Sequence, residues 1–251
     1  MIINLLSLSR IKNLQQLVKN KILTGHTKII VVVSAMSGVT NTLVEQYKKI
    51  DSDINKPEYD VILSTGEQYS SALISTFLNK NGLKSRSILG WQIPIITDDK
   101  FSQARIKRIN TEKILKLFKK FNVLVVAGFQ GISSEGRITT LGRGGSDTSA
   151  VAMAVALKSK ICEIYTDVEG IFSSDPRVVR DAKKIKSITY EEILEMASLG
   201  SKVLHPRSVE LAMKYDIKIH VRSSFNKKQG SMVVKEENKL EKEVVTGISA
   251  S

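Results

Sequence analysis

Cysteine is nearly missing: Cys162 is the only one in 251 residues. An internal disulfide is therefore excluded, no Cys/His spacing of the zinc-binding kind is present, and a reducing cytoplasm fits. Long apolar runs are missing too. The longest, Ala150 to Leu157, falls far short of the ~18 residues of a membrane span. The opening MIINLLSLSR is apolar, but no basic region precedes it and no small-residue cleavage site clearly follows, so it reads as structure rather than a signal peptide. Neither a GxxxxGK[ST] loop nor a GxGxxG after a strand occurs, which excludes the two commonest nucleotide cradles. Aromatic residues make up only 6%, and no nucleic-acid motif appears.

What is present is positive charge and an α/β rhythm. Thirty-eight Lys and Arg face twenty-five Asp and Glu, a net +13. The lysines are dispersed, as on a solvated exterior, and the field would also welcome a phosphorylated anionic ligand. No nucleic acid and no membrane is expected as a partner. Short β-branched runs predict strands at Lys28–Ser34, Asp60–Leu63, Ser85–Leu89, Val123–Ala127, Cys162–Thr166 and Lys218–Arg222. Between them, helical spacing places Leu14, Leu17 and Val18 on one face, and predicts helices at Gln68–Leu78, Thr111–Lys120 and Ser146–Leu157. Thr189 to Glu192 reads as a capping box, and Pro206 suits the first turn of a helix through Tyr215. Gly131–Arg143 reads as a hairpin turning at Glu135-Gly136, and Lys235–Glu243 as a charged linker. The alternation predicts an α/β fold with a mainly parallel central sheet.

Polar, glycine-bearing loops follow four of the predicted strands: SAMSGVTN after Val33, STGE after Leu63, GFQG after Ala127 and TDVEG after Tyr165. In open α/β sheets ligands bind along that carboxyl edge, so four such loops indicate one shared cleft. Gly144 and Gly145 allow a close backbone approach. Ser146 and Asp147 stand at a helix N-terminus, where they either cap the helix or help to hold an anion. Arg143 offers a planar fork for carboxylate or phosphate. Glu67 suits an ammonium group or a helix terminus. Ser34, Ser37 and Thr40 suit a carboxylate or a cap. Asp167 suits a ribose, a metal or an Asx-turn. Arg177 and Lys202 are either phosphate ligands or surface charges. His205, before Pro206, reads as structural, and no metal-ligand spacing is convincing.

In order and spacing, VVVSAMSGVTN, STGEQYSSAL, GFQG, TTLGRGGSDTSAVAMA, YTDVEGIFSSDPR and GSKVLHPRS resemble the catalytic domain of aspartokinases, within the amino acid kinase family. The resemblance runs from Leu8 to Gly247. It implies a three-layer α/β/α sandwich, and transfer of the γ-phosphoryl of MgATP to the β-carboxylate of L-aspartate. That step gives 4-phospho-L-aspartate on the way to lysine, threonine, methionine and diaminopimelate. It implies aspartate binding by Ser34, Thr40, Glu67, Phe129, Arg143 and Ser146, with Glu67 at the amino group and Arg143 at a carboxylate. Asp147, with Arg143, would organise catalysis. Thr166, Asp167, Phe172, Arg177 and Lys202 would face the nucleotide. The family often has tyrosine where Phe172 stands. Magnesium would be held largely by ATP phosphates, and family members usually dimerise.

The resemblance also implies two departures. The family begins with a strand leading into a KFGGTS-type loop, whereas SLSRIKNLQQLV here looks like the helix after that loop. The first strand, the loop and its lysine are therefore expected to be absent, with none of Lys12, Lys19 or Lys21 at the matching position. Residues 1–234 would form the kinase domain and 235–251 a charged linker with the start of an absent regulatory ACT region. Two readings follow: an aspartate kinase, or a catalytically impaired remnant that binds nucleotide or amino acid.

Overall fold

A strand of two residues sits at the centre of the main sheet. In a computed structural model of the chain, which describes residues 2–3, 8–176, 178–198 and 203–236, the first elements are β1 (Ile2–Ile3), α1 (Leu8–Leu23), β2 (Ile29–Val33), α2 (Val39–Lys48) and α3 (Pro57–Lys80). Next come β3 (Ser85–Ile88), β4 (Ile95–Thr97), β5 (Ile106–Ile109), α4 (Thr111–Leu117), β6 (Val123–Ala127), β7 (Gln130–Ile132) and β8 (Ile138–Thr140). The rest are α5 (Gly145–Ala156), β9 (Ile161–Thr166), β10 (Ile171–Phe172), β11 (Lys184–Ile185), β12 (Ser187–Thr189), α6 (Tyr190–Ser198), α7 (Pro206–Tyr215), β13 (Lys218–Ser223) and β14 (Ser231–Val234).

Eight strands form the main sheet in the order β12-β14-β13-β9-β1-β2-β6-β3, all neighbours parallel except β13 and β14. Strands buried on both faces need β-branched residues throughout, which is how β2 (IIVVV) and β6 (VLVVA) read. Alternation then sorts the side chains. Val31 and Val33 join Ile11, Leu14 and Val18 of α1 and Ile74 and Leu78 of α3 on one face. Val32 joins α5, α6 and α7 on the other, through Val151, Ile193 and Val209. The three layers expected are therefore present. A four-stranded sheet, β5-β4-β7-β8, carries the expected hairpin, with Gly136 at φ 78° in its turn. The capping box also forms, since Thr189 N–H and Oγ1 both donate to Glu192 Oε2 and Glu192 N–H donates to Thr189 Oγ1. No helix among the described residues is long and apolar enough to cross a membrane.

Two expectations are corrected. The first strand is not absent: Ile2 and Ile3 pair in parallel with Val32 and Val33 on one side and with Ile164 and Tyr165 on the other. The neighbouring strands would otherwise face each other with unmet N–H and C=O groups, and two β-branched residues supply the missing ladder. Asp60–Leu63 is not a strand but part of α3, which begins at Pro57 behind an extended Lys56. Val61 and Ile62 drew the strand reading. Tyr59 and Leu63, one helical turn apart, instead pack with Tyr47, and the Tyr47 and Tyr59 ring centroids lie 5.0 Å apart. The buried stripe of α3 continues through Ser64, Gly66, Glu67, Ser70 and Ser71, a helical face with little hydrophobicity to reveal it. Ser70 and Ser71 hydroxyls donate back to the Gly66 and Gln68 carbonyls, which conceals their polarity.

Asp60 ties this helix to the hairpin sheet. It is fully buried, and its carboxyl accepts the Ser102 amide at 2.9 Å, the Thr140 amide at 2.6 Å and the Thr140 hydroxyl at 2.7 Å. Burial raises its pKa, against these hydrogen bonds. Asp60→Ala strands three buried donors, so stability to denaturant should fall by about 3 kcal/mol, measured by urea unfolding.

Candidate active site

The parallel strands β2, β6, β9 and β13 end on one edge, at Val33, Ala127, Thr166 and Ser223. The polar loops after β2, β6 and β9 emerge there as expected. The fourth stretch, STGE, reaches the same edge differently, from the middle of α3. Gly66 lets the helix approach, because a Cβ on it would stand 2.8 Å from the Ala35 Cβ. Close packing puts Glu67 under the loop that follows β2. Its Oε1 accepts the Ala35 amide at 2.9 Å, while Oε2 is buried and has no partner. A half-satisfied buried carboxylate is costly unless a ligand completes it, and a cationic donor suits it best.

The LGRGG loop approaches from β8. Gly142 at φ 75° and Gly144 at φ 63° turn the chain on either side of Arg143, whose side chain is exposed. A Cβ on Gly144 would lie 2.2 Å from the His205 Cβ, so only glycine fits there. Helix α5 starts immediately afterwards. The amides of Ser146 and Asp147 donate to no acceptor among the described residues, and neither side chain caps the helix. The N-terminus is thus left open to an anion. Ser146 rests against the end of β6, since a Cβ on Gly128 would meet its Cβ and Oγ at 3.0 Å. Asp147 accepts no hydrogen bond among the described residues, and burial raises its carboxyl to about 6.

Phe129 completes this wall. At φ 67° it is one of few non-glycine residues in the left-handed region, held by its amide on Ser149 Oγ (3.0 Å) and its carbonyl on the Leu141 amide (2.9 Å). Its ring packs where a Gly145 side chain would be and joins the Tyr47, Tyr59 and Leu63 cluster. Ser34 and Thr40 are half-buried, and their hydroxyls make no hydrogen bond among the described residues, so neither serves as a cap. Glu67, Ser34, Phe129 and Ser146 therefore share the edge at β2 and β6 with Asp147 and the Arg143 loop. The nucleotide candidates lie across β1. The Thr166 hydroxyl donates to Asp167 Oδ1 at 2.9 Å, Asp167 is exposed, and Phe172 is half-buried in β10. Arg177 and Lys202 lie outside the described residues.

Several supporting groups escaped the sequence reading. Ala35 acts through its backbone amide, which no residue type announces. Asp60 lies two helical turns before Glu67, a spacing that places both on one face of α3. Gln130 is buried and donates from Nε2 to the Ser64 carbonyl at 3.1 Å. Among the described residues no group of three or more His, Cys, Asp or Glu side chains gathers to hold a metal.

An α/β/α sandwich whose carboxyl edge carries a glycine-rich loop, an open helix N-terminus and a half-satisfied buried carboxylate defines a site for a small polar ligand with anionic and cationic groups. The chain belongs to the amino acid kinase family, which it matches over residues 5–223. It is 46% identical over 243 residues to an aspartokinase of Geobacillus stearothermophilus, covering 97% of this chain and 60% of that protein. Its structure is similar to that of aspartate kinase from Synechocystis, with 46% identity, a TM-score of 0.79, and coverage of 92% of this chain and 38% of that one. It is also similar to E. coli aspartokinase III in complex with aspartate and ADP, at 28% identity and a TM-score of 0.79, covering 95% of this chain and 65% of that one. The chain thus spans about 60% of the length of the curated relatives it matches.

Burial raises Glu67 to about 7, against 4.5 for a free glutamate, with the Ala35 hydrogen bond acting in the opposite sense. Folding therefore favours the protonated form. The stability tied to that proton is whole below pH 4.5 and is lost as pH rises through about 7. The stability of the unliganded chain, minus that of Glu67→Gln, should fall by about 1–3 kcal/mol across this window, measured by denaturant unfolding.

Proposed function

We propose that this chain is an aspartate kinase catalytic domain, extending over residues 1–234, that transfers the γ-phosphoryl of MgATP to the β-carboxylate of L-aspartate. The observation that carries the reading is Glu67, a buried carboxylate with one oxygen fixed on the Ala35 amide and the other unpartnered. An α-ammonium group completes it, and Arg143 across the edge takes a carboxylate of the same small molecule. Phe129 and the Ser34 and Thr40 hydroxyls close the substrate side. The free amides of Ser146 and Asp147 and the helix dipole of α5 favour the transferring phosphoryl group. Thr166, Asp167 and Phe172 are read as the nucleotide side, joined by Arg177 and Lys202.

Phosphoryl transfer needs positioning and charge neutralisation more than a covalent nucleophile, and this edge offers both. Magnesium would come with the triphosphate, whose oxygens supply most of its ligands. Asp147 holds its position without a hydrogen-bond partner among the described residues, free to orient the groups arriving with that ion. The product, 4-phospho-L-aspartate, fits supply of lysine, threonine, methionine and diaminopimelate. The lone buried Cys162 fits a cytoplasmic setting, and a homodimer is the assembly we read for it.

The test is ATP-dependent phosphorylation of aspartate, trapped with hydroxylamine as the hydroxamate. The wild-type chain should give signal, and Asp147→Asn should lower the rate by about a hundredfold or more. A second reading, binding without turnover, is favoured by one feature. The sequence between β1 and α1 is Asn-Leu-Leu-Ser, with no lysine or glycine. Hydroxamate at background with aspartate still bound would establish that second reading.

Aspartate binding should also release a proton. An ammonium beside Glu67 favours the ionised form, pulling its pKa down from about 7. Calorimetry near pH 6.5 in buffers of different ionisation enthalpy should show this release in the wild type and its loss in Glu67→Gln.

A further inference from the structure

Arg207 has no role in the chemistry described so far, yet it is placed to control it. It is the second residue of α7, behind Pro206 at the first helical position, and its own amide donates to Nδ1 of His205 at 3.4 Å. The guanidinium reaches away from the helix to two carbonyls on separate segments. Nη1 donates to the Leu141 carbonyl, and Nη2 donates to the Ala104 carbonyl at 2.9 Å. Both residues are fully buried. No carboxylate forms an ion pair with Arg207 among the described residues, so the guanidinium's hydrogen-bond partners are backbone alone, and a rigid planar fork suits two carbonyls on neighbouring segments.

What those carbonyls belong to matters. Leu141 is the last residue before Gly142-Arg143-Gly144, and its amide is already fixed on the Phe129 carbonyl. Ala104 is fixed on the Thr140 carbonyl at 2.9 Å. Arg207 therefore grips the loop just ahead of Arg143. His205, two residues earlier, fills the space beside Gly144 just behind it. A loop with two glycines at positive φ has the most conformational freedom to lose, and the start of α7 removes that freedom from both sides.

We propose that Arg207 is a positioning residue that holds the Gly142–Gly144 loop so that Arg143 meets a carboxylate of the amino-acid substrate. This rests on the aspartate kinase reading above. Arg207 does not touch substrate itself. Its effect reaches the reaction through the placement of Arg143. Among the described residues, neither Glu67 nor Thr166, Asp167 and Phe172 across β1 hydrogen-bonds with the fork.

The test compares Arg207→Met and Arg207→Lys with the wild type in steady-state kinetics and hydrogen exchange. Arg207→Met should raise KM for aspartate by about tenfold or more, while KM for MgATP changes by less than about twofold. Arg207→Lys keeps the charge but reaches one carbonyl only, so it should fall between the two. The hydrogen-bonded amides of Leu141, Gly145 and Thr148 around the loop should exchange faster in both variants than in the wild type, whereas those of β2 and β6 should not change. Unaltered exchange in the loop, or equal rises in both KM values that follow a general loss of folded protein, would overturn the proposal. The two ideas fail separately. If the wild type gives no hydroxamate, the kinase reading fails, and loop exchange still decides whether Arg207 braces it.

Discussion

The structure depends most on how closely α3 approaches the end of β2. A glycine at position 66 removes the one side chain that would hold the helix away from Ala35. Once the two are in contact, the Ala35 amide has an acceptor in Glu67, and the loop after β2 is fixed relative to the helix. Asp60, two turns earlier on the same face, fixes the N-terminal end of α3 to the hairpin sheet. One helix thus positions both the loop beyond β2 and the strand leading to the Arg143 loop. The two carboxylates are handled differently. Asp60 is satisfied entirely by protein donors, as a structural group should be. Glu67 is satisfied on one oxygen only, which leaves a specific deficit in a specific place.

Much of this was legible beforehand. The strands β2 and β6 could be read because doubly buried parallel strands demand continuous β-branched runs, and β13 because its buried isoleucine and valine alternate with polar residues. The helices α5 and α7 and the capping box could be read from caps and spacing. The first turns of α3 could not, because their buried face is built from serine, glycine and acid while Val61 and Ile62 imitate a strand. Nor could β1, since two residues are too few for any periodicity. The residues gathered at the edge were legible as chemistry but not as geometry. Glu67 was visible in the sequence; the Ala35 amide that orients it, and the Arg207 fork behind Leu141, bond through backbone atoms and leave no trace in residue type.

The presence of β1 also changes the meaning of the departure from the family pattern. The sheet's centre is filled and α1 follows as expected, so the difference is confined to what lies between them. The scaffold that would carry a phosphate-binding loop is in place, and the four residues there are uncharged. The question of catalysis is thereby narrowed to whether cations elsewhere on the edge neutralise the phosphates.

The short central strand has a mechanical consequence. Among the described residues, the ladders joining the sheet's two halves through β1 run for two residues on each side, against six between β13 and β9 and five between β2 and β6. Ser34 and Phe129 follow the strands of one half, and Thr166 and Asp167 stand at the end of β9 in the other. A small rotation about the line of β1 would change the distance between those two groups of residues while leaving every longer ladder intact. Among the described residues the sheet is, in effect, two long ladders fastened by a short one, with the residues read as the two sides of the cleft standing to either side of it.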